Sequence, residues 1–217
     1  MDAKELIARR VAREIKAGML VNLGIGLPSL VANYVSADKG VFFQAENGVI
    51  GLGARPPEGM GDPHLTDAGG GFVTAVPGAA SIDSAMSFGL IRGGHLDVTV
   101  LGGLQVDEAG LLANWKVPGK MVPGMGGAMD LVTGARRVIV AMQHSARGEA
   151  KIVPKCTLPL TSARRIDLII TDLAVIEPTD AGLALRERAP GVTVEEIRAA
   201  TSAVLIAPDQ VAEMQLE

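Results

Sequence analysis

Aromatic side chains are scarce in this chain: one Trp, one Tyr and four Phe make up 3% of its 217 residues. The core must come from aliphatic residues. There is one cysteine, Cys156, so no internal disulfide can form, and the three histidines His64, His95 and His144 lack the spacing of metal ligands. No metal site is expected. The 20 Lys and Arg residues are scattered and the net charge is −4, which excludes the basic footprint of a nucleic-acid binder. Every apolar run is cut by Gly, Pro or a charge within about ten positions, well short of the 18 or more residues that span a bilayer. The first residues, Met1-Asp2-Ala3-Lys4-Glu5, carry acid where a secretory signal needs a basic and then apolar stretch. Together with the lone cysteine, this predicts a cytoplasmic protein without a membrane or nucleic-acid partner.

Glycine is in surplus. There are 27 in 217 residues, and 25 of them lie between Gly18 and Gly148. Typical usage is about 7%. No G-X-Y period accompanies the excess, so collagen is excluded, and 48% hydrophobic residues argue for a sizeable core. Glycine at this density points to tight turns or close backbone approach. With neither a low-complexity linker nor an internal repeat, residues 1–217 read as a single domain.

Strand and helix signals alternate. Asp2 and Glu5 stand at capping-box spacing ahead of Leu6, Ile7, Val11 and Ile15, predicting an amphipathic helix that runs to Ala17 and stops at Gly18. Met19 to Leu23 reads as a strand, Gly24-Ile25-Gly26-Leu27-Pro28 as a turn into a helix reaching Gly40, and Val41 to Gln44 as a second strand, parallel to the first. Residues 48–71 read as glycine-rich coil, long enough to be a functional loop. Phe72 to Val76 follows as a strand, Ser81 to Leu90 as a helix capped by Ser81, and Leu96 to Leu101 as a strand. Residues 105–133 look irregular. Arg137 to Met142, Ile166 to Thr171 and Ala174 to Glu177 are further strands, and Thr193 with Glu196 caps a short helix. The pattern predicts an α/β fold: a layered open sheet of mostly parallel strands with flanking helices.

Ligands of such sheets gather outside the carboxyl ends of the strands. Two of these ends stand out. Gly24-Ile25-Gly26 could present backbone N–H groups to a phosphate, and Glu46-Asn47-Gly48 places an acid directly after an apolar strand. A glycine turn followed about 20 residues later by an acid is the arrangement that grips a dinucleotide ribose, although Ser29 occupies the place of the third glycine. The plainer alternative is a tight strand-to-helix turn and a surface or ribose-binding carboxylate. Against it, Gly48, Gly51 and Gly53 follow Glu46 closely and would let a substrate approach unobstructed. A carboxylate can attack an activated acyl group, and backbone N–H groups such as those of Gly126-Gly127 can stabilise the resulting oxyanion.

Five separated motifs in order, Asn22-Leu23-Gly24-Ile25-Gly26, Glu46-Asn47-Gly48 with Gly51-Leu52-Gly53, Ile91-Arg92-Gly93-Gly94-His95, Leu112-Ala113-Asn114-Trp115 and Gly124-Met125-Gly126-Gly127-Ala128-Met129-Asp130-Leu131, resemble the β subunit of class I 3-oxoacid CoA-transferases. The resemblance covers nearly the whole chain. Residues 2–4, 7–12 and 118–124 look most like the acetate or butyrate:acetoacetate subfamily of short-chain fatty acid and ketone body metabolism; succinyl-CoA and 3-oxoadipate transferases share the core motifs. The resemblance implies ping-pong CoA transfer through a glutamyl-CoA thioester on Glu46, with Gly127 as backbone oxyanion donor. Gly24, Gly26, Asn47, Gly51, Gly53 and Gly126 fall in the motifs lining the CoA and substrate region. It further implies CoA as substrate, no permanently bound cofactor, and an α subunit as partner in an α2β2 assembly. A noncatalytic assembly subunit is the third class of reading.

Two positions depart from the family pattern: Ala45 stands where Ser usually precedes the glutamate, and Gln143 stands where an acid commonly precedes His144. Elsewhere, His64 reads as solvated, His95 as a turn or packing residue, and Cys156 as either reactive beside Lys155 or a small hydrophobe. Trp115 reads as packing or interface. Arg92 reads as a phosphate partner or a helix cap.

Overall fold

A computed structural model describes residues 1–119 and 124–216. Part of the 118–124 segment noted above therefore lies outside the described residues. In chain order the strands are β1 (Leu20–Leu23), β2 (Phe42–Gln44), β3 (Val49–Leu52), β4 (Ala75–Ser81), β5 (Val98–Leu101), β6 (Gln105–Asp107), β7 (Leu112–Ala113), β8 (Arg137–Ala141), β9 (Ser145–Ala146), β10 (Glu149–Ala150), β11 (Ile152–Val153), β12 (Leu168–Ile170), β13 (Ala174–Thr179), β14 (Gly182–Arg188), β15 (Leu205–Ile206) and β16 (Ala212–Glu213). The α-helices are α1 (Ala3–Ala12), α2 (Ser84–Arg92), α3 (Ala128–Gly134) and α4 (Val194–Ala199).

The main sheet runs β15-β14-β13-β12-β8-β5-β1-β2-β3-β4, with β16 beside β14. Its centre, β12-β8-β5-β1-β2, is parallel throughout. Antiparallel pairs close both flanks, β2-β3-β4 on one side and β12-β13-β14 on the other. This is the α/β sheet expected, mixed and mostly parallel. β1 separates β2, which follows it in the chain, from β5, which comes later, so strand order reverses there. The two crossovers take opposite faces. The β1 to β2 connection packs with α1 against Val21, Val98 and Val100, whereas α2 and α3 cover the face of Leu101, Val138 and Val140. The core is aliphatic, with Ile7, Ile91, Leu112, Ile139, Ile169 and Ile176 wholly buried. Each contributes about 1.5–3 kcal/mol relative to exposure.

Several element boundaries differ from the expectations. Asp2 does cap α1 by accepting from Glu5 N, but the helix ends at Ala12 because Glu14 N and Ile15 N donate to Val11 and Ala12, three residues back, tightening the last turn. The helix expected to reach Gly40 is two 3-10 helices, Leu27–Tyr34 and Ala37–Lys39, separated where Val35 turns extended. The supposed coil after Gly48 begins with β3. The strand placed at Phe72 to Val76 starts at Ala75 and continues to Ser81, so α2 is capped by Asp83 rather than Ser81. Residues 105–133, expected to be irregular, include β6, β7 and α3.

Candidate active site

Glu46 sits on a tight turn. Ala45 N donates to Val49 O and Gly48 N to Ala45 O, so β2 and β3 form a hairpin with Glu46 and Asn47 at its tip. Gly48 makes this possible: its φ is +119°, and a Cβ there would lie 2.0 Å from Ile82 O. Asn47 Nδ2 donates to Thr66 O at 2.8 Å, tying the tip to the following loop.

The half-buried carboxylate is held from two sides. Asn22 Nδ2, on the neighbouring strand β1, donates to Glu46 Oε2 at 3.3 Å. On the other side lies Gly127, the residue that precedes α3. A Cβ on Gly127 would come within 3.1 Å of Glu46 Cγ and 3.4 Å of its Cδ and Oε1, so bare backbone lies against the carboxyl group. Gly126 has a φ of +52° and open space around it. The site thus lies at the carboxyl ends of the parallel strands, next to the reversal of strand order, where α/β sheets bind ligands.

The other glycines serve different purposes. Gly24 N donates to Val100 O and Gly53 N to Thr74 O, so neither N–H is free for a phosphate. Gly26 has a φ of +88° at the start of a 3-10 helix. These features turn the β1 end away from dinucleotide geometry, in which free N–H groups face a pyrophosphate. Gly24, Gly26 and Gly53 instead line a cavity of about 150 Å³ with Leu23, Phe43 and Ala45. Asp67 also lines it, while Lys and Arg are absent from its described lining residues. Gly51 lies outside this lining, with Ala79 and Val76 of β4 where its Cβ would be.

Ala45 is buried and lines the cavity, and Gln143 is exposed beside buried His144. His64 and His95 are exposed. Arg92 pairs with Asp130 at 2.7 Å, linking α2 to α3. Trp115 Nε1 donates to Leu160 O. The Cys156 thiol is pushed up to about 12 by burial and by Asp107, which makes it a poor nucleophile at neutral pH. Among the described residues, no group of three or more His, Cys, Asp and Glu could hold a metal ion.

Sequence reasoning missed a buried polar row beside the carboxylate. Thr99, Asn22 and Gln44 are register partners on β5, β1 and β2, so their side chains share one sheet face, and Ser87 of α2 meets Gln44 on it. All four are at most 1% exposed. The three strand residues leave a signal as single polar residues inside the otherwise apolar strings Leu-Val-Asn-Leu, Phe-Phe-Gln and Val-Thr-Val-Leu, whereas Ser87 of α2 leaves none.

A carboxylate tethered by one oxygen, with bare backbone beside the other, suits attack on an activated acyl carbon under backbone N–H groups. Comparison with known proteins gives the family. The family model described as Coenzyme A transferase matches residues 4–200. The β subunit of the acetate CoA-transferase of Escherichia coli (strain K12) is 56% identical over 204 residues, covering 94% of this chain and 93% of the relative. One of the subunits of the succinyl-CoA:3-ketoacid coenzyme A transferase of Helicobacter pylori (strain ATCC 700392 / 26695) is 50% identical over 201 residues, covering 92% and 97%. In fold, the acyl-CoA transferase YdiF of Escherichia coli O157:H7 superimposes with a TM-score of 0.80 at 24% identity, over 99% of this chain but 43% of that one. This chain belongs to the coenzyme A transferase family.

Proposed function

We infer that this chain is the β subunit of an acyl-CoA:3-oxoacid CoA-transferase, acting in the cytoplasm with an α subunit as an α2β2 assembly. The reaction runs through Glu46. Its Oε1 attacks the thioester carbonyl of acyl-CoA; the C–S bond breaks, CoA leaves as thiolate, and an acyl-glutamyl anhydride remains. The thiolate then attacks Cδ of Glu46, forming the glutamyl-CoA thioester as the donor acid departs as carboxylate. The acceptor carboxylate repeats both steps in reverse. Gly127 N–H supplies the oxyanion donor, while Gly24, Gly26, Asn47, Gly53 and Gly126 shape the approach for CoA and the acyl group, and Gly51 lets β3 pack closely against β4 behind it. The chemistry exchanges thioester and anhydride bonds, with CoA as substrate.

The observation that carries this reading is the contact of Glu46 with Asn22 on one side and Gly127 on the other. The small, mostly apolar cavity beside Ala45, with Asp67 and no described cation in its lining, favours a short monocarboxylic acyl group such as acetyl or butyryl, with acetoacetate as acceptor. Glu46→Gln in the assembled enzyme should lower CoA transfer by at least about 10³-fold, as loss of a covalent nucleophile does, while leaving the melting temperature nearly unchanged. Retained activity would return the chain to the noncatalytic class. A donor panel against acetoacetate should rank acetyl- and butyryl-CoA above succinyl-CoA, and the reverse order would overturn the substrate assignment.

A further inference from the structure

The four buried polar side chains have a continuous order. Thr99 Oγ1 donates to Asn22 Oδ1 at 3.3 Å, and Asn22 Nδ2 is within bonding distance of Gln44 O at 3.1 Å, Gln44 Oε1 at 2.9 Å and Glu46 Oε2 at 3.3 Å. Gln44 Nε2 in turn donates to Ser87 Oγ at 3.0 Å. A buried polar group costs free energy unless it is bonded, and among the described residues no buried side-chain N or O lacks a partner. Apolar side chains would fill such a row without that requirement. Sheet stability therefore gives no reason for the row.

Direction within the row supplies one. A reversed Asn22 amide would set Oδ1 against three acceptors: the Gln44 carbonyl, the Gln44 side-chain oxygen and the Glu46 carboxylate. A reversed Gln44 amide would face Asn22 NH2 with its own NH2. Asn22 Nδ2 sets which end of the Gln44 amide faces it, and the bond from Gln44 Nε2 to the Ser87 hydroxyl holds that side chain in the rotamer that presents its oxygen to Asn22. Ser87 is fixed by α2 itself, where its N–H donates to Asp83 O at 2.9 Å. We propose that Ser87 and Gln44 are positioning residues, a buried hydroxyl–amide relay from α2 that points the Asn22 amide at Glu46 Oε2 and so leaves Oε1 toward Gly127 as the attacking oxygen. This rests on the reading of Glu46 as nucleophile. Without the relay, a long side chain on a turn tip is free to leave the productive rotamer, and the loss falls on the chemical step rather than on substrate binding.

The test is a double-variant cycle on the assembled enzyme, reading the single-turnover rate of CoA-adduct formation on the Glu46 peptide together with kcat and KM. Ser87→Ala and Gln44→Met should each slow adduct formation about tenfold with KM for acyl-CoA within about twofold, and Ser87→Thr, which keeps the hydroxyl, should recover most of the rate. Because both break one chain, the double variant should be no slower than the worse single variant. Multiplicative losses, a wild-type adduct rate in Ser87→Ala, or equal damage from Ser87→Thr would each overturn the relay. Failure of the underlying reading looks different: the wild-type enzyme itself would form no adduct at Glu46.

Discussion

His144 is wholly buried just beyond β8, its Nδ1 at 2.9 Å from Thr171 Oγ1 and its Nε2 at 2.8 Å from Thr201 Oγ1. Burial lowers its pKa to about 4 against the opposing pull of Asp172. The unfolded imidazole titrates near 6.5, so between these values the unfolded chain binds the extra proton. The stabilisation is complete above pH 6.5 and is lost as the pH falls toward 4, to a total of about 3 kcal/mol. Chemical denaturation at pH 7.5 and 4.5 should show this loss, with a shallower pH dependence in His144→Gln; identical slopes would contradict it. Nothing in the sequence around Gln143-His144 disclosed this, because a lone histidine between Gln143 and Ser145 at the end of an apolar strand gives no sign of which hydroxyls will meet it. Glu46 was legible for the opposite reason. Its position after an apolar strand and among glycines is a local pattern, whereas Asn22, Gln44 and Ser87 acquire their meaning from strand register and helix packing.

The element that sets the site is the β2–β3 hairpin. The sequence discloses the strand before Glu46 and the Asn-Gly turn signal, yet the dense glycines that follow mask β3, since Gly51 and Gly53 weaken the strand pattern while serving close approach to β4 and to Thr74. The parallel β1–β2 pair was readable from short apolar runs bracketing a turn. β14, β15 and β16 were not, because Arg186, Glu187 and Arg188 or brief two-residue pairings interrupt the apolar pattern. Gly48→Ala should be costly here, with both a positive φ and Ile82 O in the way. A loss of about 1–3 kcal/mol in stability is expected, with at least a tenfold fall in CoA transfer as Glu46 shifts. Calorimetry and steady-state assay check this, and a variant with wild-type melting temperature and rate would show that the turn does not set the carboxylate.

At the scale of the whole molecule, a sheet whose strand order reverses at β1 opens a crevice between its two crossovers, and Glu46 lies one strand from that reversal. α1 is bound to the far flank by buried Arg10, which bonds Glu187 through two nitrogens and Glu14 through a third, so the sheet behind the crevice is clamped. Part of the glycine surplus belongs to this architecture, with Gly48 and Gly127 at the carboxylate, while others such as Gly110 and Gly134 serve close contacts elsewhere in the fold. The decisive measurement is mass spectrometry of the assembled enzyme after incubation with acyl-CoA and borohydride reduction. The account predicts that the glutamyl thioester is converted to the alcohol at Glu46 in a peptide otherwise unchanged. Active enzyme with Glu46 unmodified, or with the modification at another residue, would contradict it.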